Sequence, residues 1–190
     1  MSSPIVATFV LASLLLSLPR TIATLEQDSS KLLKNVCTGY SKDWNSSFCL
    51  QIMKSNPKIS LAQDLLYLAL SIIEAGLLKA TRTQIYIEEK LIHIQESSQA
   101  IEQCQNLYDH IISLYKGILI HVEKQKLYDI ASAEFSMAAN NGEYCENLLA
   151  ISGIIDADIS RGNKVIEYLS LSGYNVVNDL IMTAWITKRK

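Results

Sequence analysis

Four cysteines, Cys37, Cys49, Cys104 and Cys145, are the residues of this chain best suited to chemistry. An even number of thiols suits disulfide formation in an oxidising compartment. Three connectivities are open, and the local pairing Cys37–Cys49 with Cys104–Cys145 is the simplest. In a loop-entropy view such bridges would contribute roughly 3 and 4 kcal/mol. Zinc is the rival use of four thiols. It is disfavoured because there is no C-x-x-C pair and no histidine at ligand spacing from a cysteine. The histidines are His93, His110 and His121. The last two are eleven residues apart, so they share a helix face but lie about three turns from each other. They are expected at solvated or rim positions, and no metal ligands are assigned. The sequence holds no G-x-S-x-G elbow, P-loop, H-E-x-x-H or G-x-G-x-x-G. No catalytic residue is assigned and no cofactor is expected. Asn45-Ser46-Ser47 is the one N-x-S/T sequon; it lies between the first two cysteines, where an exposed loop and a glycan on Asn45 are expected.

The elements that must position these residues read as helices. Of 190 residues 49% are hydrophobic, too many for a disordered chain. Seven glycines and three prolines are too few for a turn-rich all-β fold. Ser60-Leu61-Ala62-Gln63 fits a capping box, followed by Leu61, Leu65, Leu68, Ile72 and Ala75 on one face, for a helix reaching about Ile94. Gly76 weakens this helix without ending it. Ile101, Cys104, Tyr108, Ile111, Tyr115, Ile118 and Val122 are spaced alternately by three and four, the seam of a second helix in a bundle. The turn Gln95 to Ser98 is short enough for an antiparallel neighbour.

A third helix is expected from about Leu127 to Ala150, with Ala131, Phe135, Ala138 or Ala139, Cys145, Leu148 and Leu149 facing inward and Asn140-Asn141-Gly142 interrupting it. After a loop from Ser152 to Gly162, a fourth helix should bury Val165, Leu169, Val176, Leu180 and Trp185, its negative end matched by Lys188-Arg189-Lys190. Before Ser60, Leu25 to Asn35 and Ser47 to Lys54 are short helical candidates. The expectation is an all-α fold: an up-down-up-down four-helix bundle over 60–190, with an N-terminal disulfide-closed helical hairpin over 24–59.

Ile5 to Leu18 is an uncharged apolar run. It is shorter than the roughly 20 residues of a membrane span but fits the core of a secretory signal peptide. Thr21-Ile22-Ala23 places small residues for cleavage after Ala23. Residues 1–23 are thus expected to be a signal peptide, and the mature chain to be secreted without a stable membrane anchor. With 17 basic against 19 acidic residues and a net charge of -2, no basic field suits nucleic acid. Glu88-Glu89-Lys90 and Glu123-Lys124-Gln125-Lys126 read as solvated helix faces.

Several of these residues together resemble one family. Cys37-Thr38 followed by Cys49, Asp64-Leu65 with Leu68-Ala69 and Ala75, Cys104-Gln105-Asn106-Leu107-Tyr108, and Tyr128, Ala131, Ser136-Met137-Ala138-Ala139 and Cys145-Glu146 are similar to the plant invertase and pectin methylesterase inhibitors, including a pollen-allergen branch. The resemblance implies the pairs Cys37–Cys49 and Cys104–Cys145. It also implies an apoplastic protein, not an enzyme, that docks in the substrate cleft of an acid invertase or a pectin methylesterase. Where family members active on invertase carry Pro-Lys-Phe, this chain has Tyr128-Asp129-Ile130. Glu123, Lys126, Tyr128 and Asp129, an aromatic residue beside charges, are the expected contact residues. The competing readings are a carrier of an apolar ligand inside the bundle and a family member without inhibitory activity.

Overall fold

The computed structural model describes residues 29–38, 44–93 and 99–189. The expected signal peptide, the turn Gln95 to Ser98 and Lys190 lie outside the described residues. Helix α1 covers residues 29–36. It is followed by α2 (Ser46–Ser55), α3 (Pro57–Ser60), α4 (Leu65–His93), α5 (Gln99–Ile120), a π-helical turn (His121–Gln125), α6 (Tyr128–Ile151) and α7 (Ala157–Lys188). In the bundle α4 packs on α5, α5 on α6 and α6 on α7, and α7 closes the ring on α4. All seven seam residues from Ile101 to Val122 are buried. Tyr108, Tyr115 and Phe135 fill the interior, with the last two rings edge to face at 5.9 Å. Gly76 is where α4 lets Tyr115 in: a Cβ there would stand 2.2 Å from the ring. Inside the core the Tyr115 hydroxyl meets Ser170 Oγ at 2.8 Å, and Tyr108 donates to Asn163 Oδ1 at 2.9 Å. Among the described residues no buried side-chain nitrogen or oxygen lacks a partner.

The helical hairpin of α1 and α2 is closed by Cys37–Cys49. It is fastened to α7 through one side chain in particular. The Tyr168 ring stacks on Trp44 at 4.3 Å and meets the edge of Phe48 at 5.1 Å, while its hydroxyl accepts from the Asn45 N–H at 3.0 Å. Asn175 adds a bond to the Val36 carbonyl at 2.9 Å.

Four local expectations are corrected. The capping box at Ser60 does not form, because Pro57 starts its own short helix under the Asn56 cap and Ser60 ends it, donating to the Pro57 carbonyl. Leu61 is therefore 68% exposed, and α4 starts four residues later with Asp64 Oδ1 accepting from the Tyr67 N–H at 2.8 Å. Asn140-Asn141-Gly142 does not interrupt α6. Asn141 is tied to His110 at 2.9 Å, and Gly142 lets α7 approach so closely that a Cβ would lie 3.2 Å from the Asn163 carbonyl. Packing thus outweighs the turn preference of the tripeptide. The last helix begins at Ala157 instead of Asn163, since Asp156 caps it by accepting from Asp158 and Ile159 N–H groups. Finally, Trp185 is 59% exposed instead of buried. Ser132 Oγ donates to Asn178 Oδ1 across α6 and α7. This register puts Met182 level with Tyr128, so α7 runs on past the start of α6 and leaves Trp185 largely exposed.

Candidate functional site

The bundle end formed by the α5–α6 junction gathers the four expected contact residues. Its geometry follows from an irregular exit from α5. The helix widens into the π turn, and Lys126 then adopts a left-handed conformation (φ 57°) that ends it. The Lys126 N–H and the Leu127 N–H both donate to the His121 carbonyl. A non-glycine residue in that region costs about 1 kcal/mol. The cost is offset by Val122, buried at the start of the turn, and by the His121 ring, whose Nδ1 lies 2.7 Å from Glu134 Oε2 on α6. Chain reversal is thereby complete within one residue of the next helix. Leu127 caps α6 with no side-chain hydrogen bond.

The reversal displays side chains in a compact array. Glu123 sits in the π turn, Lys126 at its cap, and Tyr128 and Asp129 in the first turn of α6. Glu123, Lys126 and Asp129 are exposed, and among the described residues none of them is in an ion pair. Tyr128 is half-buried against the core. The structure adds apolar neighbours: Ile120, Leu127 and Ile130 are each about two-fifths exposed. The overhanging turns of α7 add Met182, Trp185 and Ile186, all more than half exposed, with the Arg189 guanidinium 4.8 Å from the Trp185 ring centre. Sequence reasoning missed this contribution by assigning Trp185 to the core. The signal that could have found it is the spacing of Met182, Trp185, Ile186 and Arg189, an i, i+3, i+4, i+7 stripe on a face separate from Val176. Together these residues combine unpaired charges with exposed apolar and aromatic area, a composition suited to protein recognition.

The remaining sequence candidates lie elsewhere. Cys104 and Cys145 are bonded and hold α5 to α6 at their other ends, with Cα atoms 4.9 Å apart. Asn45 is exposed and caps α2, its Oδ1 accepting from the Phe48 N–H at 2.9 Å. His110 and His121 are engaged by Asn141 and Glu134 respectively, while His93 is the last residue of α4. Among the described residues no three His, Cys, Asp or Glu side chains come together as metal ligands.

Fold and bridges define a disulfide-stapled four-helix bundle with a helical hairpin on one side. The sequence matches the family model described as plant invertase/pectin methylesterase inhibitor over residues 31–176, so the chain belongs to that family. Mutant form A of a pectin methylesterase inhibitor from Arabidopsis has the same fold, with a TM-score of 0.67 at 18% identity over 77% of this chain and 95% of that one. A pectin methylesterase inhibitor from Arabidopsis thaliana superposes with a TM-score of 0.59 at 20% identity, over 80% and 96%. No curated protein matches the sequence. The matched span stops within α7, before the overhanging turns that carry Met182, Trp185 and Ile186.

Proposed function

We propose that this chain is a secreted proteinaceous inhibitor that seats its α5–α6 end in the substrate cleft of a plant cell-wall carbohydrate-active enzyme. The target is an acid invertase or a pectin methylesterase, and inhibition is competition for the cleft without chemistry. The observation that carries the reading is the concentration, at one end of a bundle from an inhibitor family, of unpaired Glu123, Lys126 and Asp129 beside exposed Ile130, Met182 and Trp185. Charges left unpaired in the free protein are available to a partner. The rigid reversal at Lys126 also lowers the ordering cost of binding. Tyr128-Asp129-Ile130 occupies the start of α6 and contributes to this surface. Two disulfides accord with an oxidising compartment. Secretion would follow removal of residues 1–23, and the exposed Asn45 would carry a glycan on the amide nitrogen that the helix cap leaves aside. Among the described residues no helix is long and apolar enough to cross a membrane. The rival reading of a ligand carried inside the bundle has to contend with an interior filled by Tyr108, Tyr115 and Phe135.

The test is a paired titration of the oxidised protein against an acid invertase and a pectin methylesterase at acidic pH. One activity should be lost at near-stoichiometric inhibitor. The double charge reversal Lys126→Glu with Asp129→Lys should weaken that inhibition by at least about tenfold. Inhibition unchanged by this reversal would remove the proposed surface. Inactivity against both enzymes would leave a family scaffold without these targets.

A further inference from the structure

On the side of the bundle where α4 faces α7, two cations lack an anion. Lys79 is half-buried and Arg82, one turn on, is exposed; among the described residues neither takes part in an ion pair. Arg161 on α7 faces the same space and is held by Asp158 at 3.4 Å. Three cations therefore share one carboxylate. Burial first, then Arg161 and Arg82, push the Lys79 ammonium below its ordinary pKa, and Asp158 opposes this only in part. An anion entering here would relieve a repulsion that the fold otherwise bears.

Two neighbouring compartments share Lys79 and Arg82 in their walls. One, of about 190 Å³, is lined by Lys79, Arg82, Thr83, Tyr86, Asp158 and Arg161. The other, of about 240 Å³, runs between α2, α4 and α7 over Ile52, Leu78, Val165 and Leu169. Lys79 and Arg82 line both, so the cationic side chains stand between a polar compartment and an apolar one. Guanidinium groups grip planar oxyanions through paired N–H donors, and the apolar strip rewards a ligand with a hydrocarbon portion.

We propose that this double groove binds an amphipathic oxyanion, with a carboxylate, sulfate or phosphate head among Lys79, Arg82 and Arg161 and an apolar tail along Ile52, Leu78, Val165 and Leu169. The site lies away from the α5–α6 end and does not depend on it. Occupancy would also join the hairpin side of the molecule to α4 and α7, since Ile52 belongs to α2.

The experiment is calorimetric titration of the oxidised protein with octanoate, octyl sulfate and octyl phosphate, with octanol and acetate as headless and tailless probes. At least one octyl anion should bind saturably at one site, and the ranking of the three identifies the head. Lys79→Gln and Arg82→Gln should each weaken binding by about tenfold or more, and added salt should weaken it further. Leu78→Asn, at a half-exposed position, should weaken octanoate binding while leaving the heat signature of the bare head unchanged. NMR of the Lys79 side chain should show its pKa rising on saturation. The proposal is overturned if octanol binds as well as octanoate, if acetate binds as well as octanoate, if both charge variants bind like the parent, or if no probe binds saturably.

Discussion

The two ends of α6 are built on opposite rules. At its C-terminal end the inward-facing strong groups are used internally. Cys145 is bonded to Cys104, Glu146 accepts from Ser160 Oγ and Asn163 Nδ2 at 2.8 Å each, and Asn163 in turn accepts from Tyr108. Just beyond, Asp156 caps α7 and receives Tyr86 and Lys90 at 3.1 Å. At its N-terminal end the helix starts without a side-chain cap, after a residue in a left-handed conformation, beside Glu123, Lys126 and Asp129, which form no ion pair among the described residues. The contrast teaches where to look for recognition in a bundle without catalytic groups. One end spends its polar groups on holding helices together; the other is held by the left-handed turn at Lys126 and by the His121–Glu134 and Ser132–Asn178 pairs, and leaves Glu123, Lys126 and Asp129 available.

Substitutions should separate the two ends, and the largest effect belongs to the fastened one. Replacing Cys104 and Cys145 together with alanine should cost about 4 kcal/mol of stability, read as a lower midpoint in urea unfolding of the variant. A loss as small as that of a surface mutation would mean the noncovalent seam alone secures this end. Next, Glu146→Leu should cost about 1–3 kcal/mol, because the buried Asn163 amide loses its acceptor, and Ser160 loses a partner as well. Then Asp156→Ala should cost about 1–2 kcal/mol through loss of the α7 cap.

Asp156 also makes the fastened end sensitive to acid. Burial alone would raise its pKa, but the N–H groups of Ile159 and Asp158 together with Lys90 and the Tyr86 hydroxyl outweigh burial and hold the carboxyl below the ordinary carboxylate value. A group depressed in this way stabilises the fold above its unfolded pKa, and that contribution is lost as pH falls through the folded value. Unfolding of the parent and of Asp156→Asn should therefore converge as the solution is acidified below the ordinary carboxylate range. Curves that stay parallel would place the acid sensitivity elsewhere.

The smallest effect belongs to the displayed end. Lys126→Gly should stabilise the protein by up to about 1 kcal/mol, because glycine enters the left-handed region freely. The same change should weaken target inhibition, since it removes a charge from the proposed surface. A variant both more stable and less inhibitory would sharpen the comparison. One unchanged in both respects would blur it.

Much of the architecture was legible in residue spacing. The alternation of threes and fours from Ile101 to Val122 marks a buried seam because a helix repeats its faces at that interval, and all seven residues are buried. The inward residues Ala131, Phe135, Ala138 and Leu149 were legible for the same reason. Local chemistry was less dependable at boundaries. Ser60 and Asp64 both precede a helical pattern, and Asn56-Pro57 decided between them by starting a short helix first. Asn140-Asn141-Gly142 has turn chemistry, yet its middle residue reaches His110 and its glycine lets α7 close in. At the candidate site the sequence pointed to Glu123, Lys126, Tyr128 and Asp129 as one cluster but not to the share of α7 in it.

By itself, then, the sequence determined the class of fold, the helices, most of the core and the family motifs, because periodicity, composition and cysteine spacing are local quantities that a chain carries in any conformation. Only the tertiary structure decided that Trp185 is exposed, that Glu146 and Asp156 hold neighbouring helices, and that Lys79, Arg82 and Arg161 share a groove. Those facts depend on how far one helix outruns another and which side chains meet across α4, α6 and α7. Such register is set by packing of the assembled bundle and is encoded in no single segment.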